Sequence, residues 1–217
     1  MFIGHYGIAL AAKRVEPTLS LGWLFVASQF VDILWTLFIL VGLERVEIHP
    51  GHTAASPLNF VSYPYSHSLL MAIVWGAVVY GVARFLWNAR AALVLGAVTI
   101  SHWFLDVPVH LPDLPLAFGD SPMVGLGLWQ STIATVAIES GFLLGGLWVY
   151  LKSTKPDGKR GKWGILALCL FLLATFALTT FSGQAPPDTT ALAGTGLVMY
   201  VVFSALAGWL DRRRVAV

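Results

Sequence analysis

The chain has 217 residues, of which 57% are hydrophobic and only 11% charged, and its mean hydropathy is +0.76. A soluble domain carries about a quarter charged residues, so there is too little polar surface to face water, and the composition calls for an all-α, polytopic membrane helix bundle. The net charge of +2 gives no case for nucleic acid, because the basic residues sit in short connections between apolar runs, where membrane topology accounts for them.

The segment Met1 to Ala12 is apolar but too short to span. No positive stretch precedes its apolar part, so it does not read as a cleaved signal peptide. Glu16-Pro17-Thr18 breaks the helix before the first long run. Two placements fit residues 1–14: a re-entrant helix folded back into the bundle, or an interfacial helix on the membrane surface. In the re-entrant case Lys13 and Arg14 mark the cytoplasmic surface. Nine residues of helix then rise about 14 Å, which brings His5 near the bilayer midplane.

Six apolar runs follow, over 19–43, 67–87, 91–108, 126–151, 163–182 and 190–210. Each is near or above the roughly 20 residues that cross a hydrocarbon core. Backbone polar groups in lipid must be satisfied within the segment, so each run is expected to be a transmembrane helix. With six crossings, Lys13, Arg14, Arg84, Arg90, the Lys152–Lys162 group and Arg212–Arg214 all fall on one side, and only Arg45 falls on the other. The positive-inside rule then makes this a multi-pass protein of the cell membrane with both termini cytoplasmic. The whole chain reads as one transmembrane domain: residues 19–151 carry the chemistry and 163–210 support it. Long outer loops occupy 44–66 and 110–125. The single cysteine, Cys169, has no partner for an intrachain disulfide.

The informative residues are ionisable groups inside apolar runs: Asp32 in the first, His102 and Asp106 in the third, Glu139 in the fourth. An acidic side chain at a helix centre costs roughly 3 kcal/mol on insertion scales, so these groups are expected to face the interior and share partners. His67, at the outer start of the second run with Ser66 placed to cap it, and His5 of a re-entrant segment bring the set to three histidines and three carboxylates in the outer half of the bundle. That is a ligand set for zinc or a similar divalent ion. His102 and Asp106, four apart, share a helical face. His110 continues the spacing, although Pro108 disfavours helix at Val107. A shared divalent ion would partly neutralise the carboxylates and lower the pKa of a bound water toward about 7, giving a nucleophile at ordinary pH. Each residue also has a plainer reading: buried histidines as hydrogen-bonded structure, and Asp32 and Glu139 as helix–helix glue. His49, His52, Asp113 and Asp120 read as solvated loop residues.

Gly4-His5, Asp32, Ser66-His67-Ser68-Leu69 and Ser101-His102-Trp103-Phe104-Leu105-Asp106, in that order, resemble the YdjM-like family of predicted membrane-bound metal-dependent hydrolases, itself distantly similar to zinc-dependent phospholipase C. The resemblance covers about the first half of the chain. It implies His5, Asp32, His67, His102 and Asp106 as metal ligands, and it matches Glu139 and His110 more loosely to later ligands of the phospholipase group. The chain departs from the family at Phe30-Val31-Asp32-Ile33-Leu34, where Pro-Asp-Xaa-Asp is usual, and at Tyr63-Pro64-Tyr65, where His-Arg-Gly is common. The missing donors point to one or two ions, zinc foremost, rather than three.

The leading expectation is a metal-dependent hydrolase that works from the outer half of the membrane. Its partners would be membrane lipid and a small-molecule or lipid substrate, an amphipathic phosphoester in particular. Asp32 and Glu139 are the candidates for handling the proton. Two alternatives share the residues: an ion- or proton-coupled transporter, and a structural membrane protein whose metal only holds helices together.

Overall fold

The first long apolar run folds as two helices rather than one. In the computed structural model, which describes all 217 residues, α2 (Leu21–Ser28) and α3 (Phe30–Leu40) meet at a bend of 53°. They are preceded by α1 (Ile3–Val15) and followed by the short α4 (Pro64–His67), α5 (Leu69–Leu86), α6 (Ala89–Asp106), α7 (Thr132–Ser153), α8 (Gly158–Ser182) and α9 (Thr189–Asp211). Helices hold 67% of the residues, so the fold is essentially all-α. Strands form only three antiparallel ladders: β1 (Arg45–Ile48) with β2 (Leu58–Ser62), β3 (Leu114–Pro115) with β4 (Met123–Val124), and β5 (Thr154–Pro156) with β6 (Arg214–Ala216).

Polar residues between the runs set the helix starts. Ser20, Ser68, Asn88, Ser131 and Asp188 each accept a backbone N–H of the first turn of α2, α5, α6, α7 and α9, satisfying donors that a helix N-terminus leaves free. The cap of α5 is therefore Ser68 and not Ser66, whose hydroxyl is committed elsewhere.

Four helices, α5, α7, α8 and α9, are long and apolar enough to cross a membrane, and the α2–α3 pair makes a fifth if the bent unit is one span. Helix α6 has the length, at 18 residues, but Arg90, His102 and Asp106 dilute its hydropathy. It is also the interior helix: eleven of its residues are buried, against three of the 18 in α5. A helix shielded by its neighbours can carry polar groups that a lipid-facing one cannot.

Helix α1 is enclosed rather than peripheral. Nine of its 13 residues are buried, and it packs most extensively on α7, then on α2 and α6. The α1–α7 crossing is close because both helices present glycine: a Cβ on Gly146 would stand 1.9 Å from the Gly7 carbonyl oxygen, and one on Gly7 would stand 2.2 Å from that of Phe142. Small residues that let two backbones approach are a standard means of joining helices in membranes. At its far end α1 is anchored by Lys13, whose ammonium donates to Asp211 of α9 at 2.6 Å and to the Leu19 carbonyl at 2.7 Å. The Tyr150 hydroxyl of α7 donates to the other Asp211 oxygen at 2.7 Å.

The basic segments gather at this end of the bundle. Arg90 donates to the Val15 carbonyl at 2.6 Å, Trp23 packs on Trp87, and the β5–β6 ladder ties residues 154–156 to 214–216. A cluster of 27 buried apolar residues, including Tyr6, Leu10, Leu24, Phe25 and Leu143, fills the interior. The two long loops meet at the opposite end, where the Tyr63 hydroxyl donates to Asp113 at 3.3 Å. A smaller cluster of Trp35, Val46, Tyr63, Ala72, Trp103 and Leu114 lies beneath them.

Candidate metal centre

Helices α1, α3, α4 and α6 aim five of the seven expected ligands at one spot. Asp106 is the hub. Its Oδ2 lies 3.2 Å from His102 Nε2 and 3.8 Å from His67 Nε2. Its Oδ1 lies 3.2 Å from His5 Nε2 and accepts from the Met1 amine. Asp32 Oδ1 completes the group at 3.4 Å from His67 Nε2 and 3.6 Å from His102 Nε2. Two triads, His5–His102–Asp106 and Asp32–His67–His102, each place one donor atom per residue within 4.8 Å of the others, and every member is buried.

The donor chemistry fits a cation. Both ring nitrogens of His5 and Nε2 of His102 are buried without a hydrogen-bond partner, and the two rings stack in parallel with centroids 3.7 Å apart. A buried polar group left unpaired costs about 1–3 kcal/mol. A cation received by His102 Nε2, by the unprotonated nitrogen of His5 and by the carboxylates beside them removes that cost for one nitrogen of each ring. Buried polar groups are rarely left without a partner.

Fixed acceptors choose which nitrogen His102 and His67 offer. His102 Nδ1 donates to the Ser28 carbonyl at 2.8 Å. The break between α2 and α3 makes that carbonyl available, since it lies at the last residue of α2. His67 Nδ1 meets the Ser66 hydroxyl at 2.7 Å, and that hydroxyl donates to Glu44 Oε2 at 2.6 Å. Glu44 Oε1 also accepts from Tyr65 N–H and Ser66 N–H, both at 2.8 Å. In both histidines Nδ1–H is spent on a fixed acceptor, which leaves Nε2 unprotonated toward the centre. Burial pushes the Glu44 carboxyl above its ordinary range, against the pull of its bonds to Ser66. Glu44 is absent from the sequence-derived set. A carboxylate in a proline-rich loop carries no periodic signal, and only its place ahead of Ser66-His67 in space reveals it.

Glu139 stands beside the centre, outside both triads. Its Oε2 accepts from Phe2 N–H at 2.8 Å and Gly4 N–H at 3.1 Å. It thus sits at the N-terminus of α1, where a negative charge is favoured, and the second oxygen stays uncommitted. His110 also lies outside the triads. The chain continues one turn past α6, with Val107 in helical geometry and His110 N–H bonded to the Asp106 carbonyl at 3.0 Å, so Pro108 does not divert it. His110 Nδ1 is 3.1 Å from Asp113 Oδ1 and 3.2 Å from the Tyr63 hydroxyl, which itself donates to Asp113 at 3.3 Å. Asp113 is thus paired rather than simply solvated. Burial lowers the His110 pKa and raises that of Tyr63 well above the ordinary range. His49 and His52 lie on the exposed loop as expected, with His49 against Glu47 at 3.1 Å.

A cavity of about 310 Å³ reaches Asp32, His67, Asp106, His110 and Glu139, with walls from Trp35, Phe60 and Trp129. Helices α8 and α9, expected only to support, also line it through Phe176, Thr180, Leu192 and Tyr200. No family model, no curated protein and no solved structure matches the chain.

Proposed function

We propose that this protein is a membrane-embedded metal-dependent hydrolase of the kind the YdjM-like resemblance implies, acting on a lipid or other amphipathic phosphoester. The observation that carries the reading is the convergence of His5, Asp32, His67, His102 and Asp106, with unpaired buried nitrogens on His5 and His102, beside a cavity that Asp32, His67 and Asp106 reach and that has an aromatic wall. The polar end suits a phosphoester group and the apolar wall suits a hydrocarbon body.

In this reading the five residues would hold one or two divalent ions, zinc foremost, with Asp106 Oδ2 facing His67 and His102. The metal would supply a Lewis acid for the phosphoryl oxygen and a water poised to ionise. Asp32 Oδ2 and Glu139 Oε1 are the carboxylate oxygens left to receive the proton of the attacking water. Glu139 is held beside the centre by α1, whose N–H groups fix its other oxygen.

In the same reading the bundle crosses the membrane six times, with α6 as the shielded crossing beyond the five apolar ones, α1 re-entrant and both termini cytoplasmic. The gathering of basic segments at one end favours this orientation, and the centre then opens away from the cytoplasm. The apolar cluster that fills the rest of the interior favours a one-sided cavity over the through-path a transporter needs.

The test is hydrolysis of phosphoesters by purified protein in proteoliposomes. Turnover that a chelator abolishes, zinc restores and His67→Ala lacks supports the reading. Full metal occupancy with no turnover of any phosphoester would leave a structural metal as the better account.

A further inference from the structure

His110 is the cavity residue that the metal centre does not use, and it is fixed on every side. Asp113 and Tyr63 hold Nδ1. The Trp129 ring packs at 4.2 Å and the Phe60 ring at 4.9 Å from the His110 ring. Its backbone carbonyl accepts from Gly127 N–H at 2.7 Å, and Gly125, at φ +157°, lets the two strands of this loop close up: a Cβ there would stand 1.9 Å from the Leu111 carbonyl oxygen. A carboxylate on Nδ1 selects the tautomer whose Nε2 carries the lone pair. That nitrogen has no protein partner, and the residue lines the cavity.

An imidazole prepared in this way either binds a metal or moves a proton. The metal role needs further donors close by. Neither triad includes His110, and its ring centroid is 6.5 Å from that of His67. We therefore propose that His110, positioned by Asp113 and Tyr63, is a catalytic residue that delivers the proton to the departing alcohol, and is not an ion ligand. The inference rests on the hydrolase reading above. As water attacks phosphorus the new P–O bond forms, and the proton released passes by way of Asp32 or Glu139 to His110 Nε2. As the old P–O bond breaks, its electron pair stays on the alcohol oxygen, which takes that proton from Nε2. His110 and Asp113 end as they began, and no oxidant or reductant is involved.

The experiment compares wild type, His110→Ala, His110→Gln and Asp113→Asn, purified in detergent and loaded with zinc. Metal content is read by elemental analysis. Hydrolysis is read on two phosphodiesters that share one phosphoryl part, one with an alkyl alcohol and one with p-nitrophenolate as leaving group. Both His110 variants are expected to keep the wild-type metal content and to lose roughly 10²–10⁴-fold on the alkyl ester. They should lose little on the nitrophenyl ester, whose leaving group needs no proton, and Asp113→Asn should fall between. Loss of metal from folded His110→Gln, or an equal loss on both esters, overturns the proposal. If His110→Ala does not fold, His110→Gln and Asp113→Asn give the same reading. If wild type binds zinc but cleaves neither ester, the hydrolase reading fails, and this inference falls with it.

Discussion

His102 Nδ1 lies 2.8 Å from the carbonyl oxygen of Ser28, and this bond ties the tautomer of a candidate ligand to a break in a neighbouring helix. In an unbroken helix the Ser28 carbonyl would accept the N–H of Asp32. Here α2 ends at Ser28 and α3 begins at Phe30, so the carbonyl serves His102 while Asp32, one turn on, turns its carboxylate to the same ring. Irregular backbone at membrane depth is tolerated where it is buried in protein, and Gln29 at the break is fully buried.

Because His102 belongs to both triads, His102→Ala is expected to lose more metal than either His5→Ala or His67→Ala. Elemental analysis of the three variants, each normalised to folded protein, checks this. A His102→Ala protein with undiminished metal would remove His102 from its central place.

Glu44 touches no ion in this account and acts through Ser66 and His67. Glu44→Gln is expected to weaken metal affinity roughly 10–100-fold, the usual effect of losing an outer carboxylate partner, while stoichiometry at saturating metal stays unchanged. Competition with a chromophoric chelator measures it. An affinity equal to wild type would mean that the relay does not tune His67.

The α1–α7 crossing gives a test with an internal control. A Cβ on Gly146 meets the Gly7 backbone, whereas one on the adjacent Gly145 has nothing within 4 Å. Gly146→Ala is expected to destabilise by about 1–3 kcal/mol, as overpacking does, and Gly145→Ala to have little effect. Thermal denaturation in detergent reads both. Equal Tm values for the two variants would contradict the close approach.

Orientation is open to labelling, since Cys169 is buried and offers little background. A membrane-impermeant maleimide is expected to label Asp120→Cys from outside intact cells, and Lys159→Cys only after permeabilisation. The reverse pattern would invert the bundle and place the cavity on the cytoplasmic side.

The five converging residues were legible because an ionisable residue inside an apolar run stands out, and because His102 and Asp106 sit four apart. The parts that hold them in place were not. The bend at Gln29 falls in an apolar run with neither proline nor glycine at the break. Glu44 and Asp113 lie in loops where polar residues are ordinary, and Tyr63 meets Asp113 across 50 residues of sequence. The polar character that betrayed α6 as a carrier of the site also weakened it as a span, since His102 and Asp106 lower its hydropathy. The sequence also cast α8 and α9 as plain support, because cavity-facing Phe176 and Leu192 look the same as residues that face lipid.

The most direct measurement is anomalous scattering from crystals of the purified protein, with data taken on both sides of the zinc absorption edge. The account predicts a zinc peak in bonding reach of His102 Nε2 and Asp106, flanked by Asp32 and His67 or by His5. Electron density that brings those side chains together with no metal peak among them, in protein prepared without chelator, would contradict it.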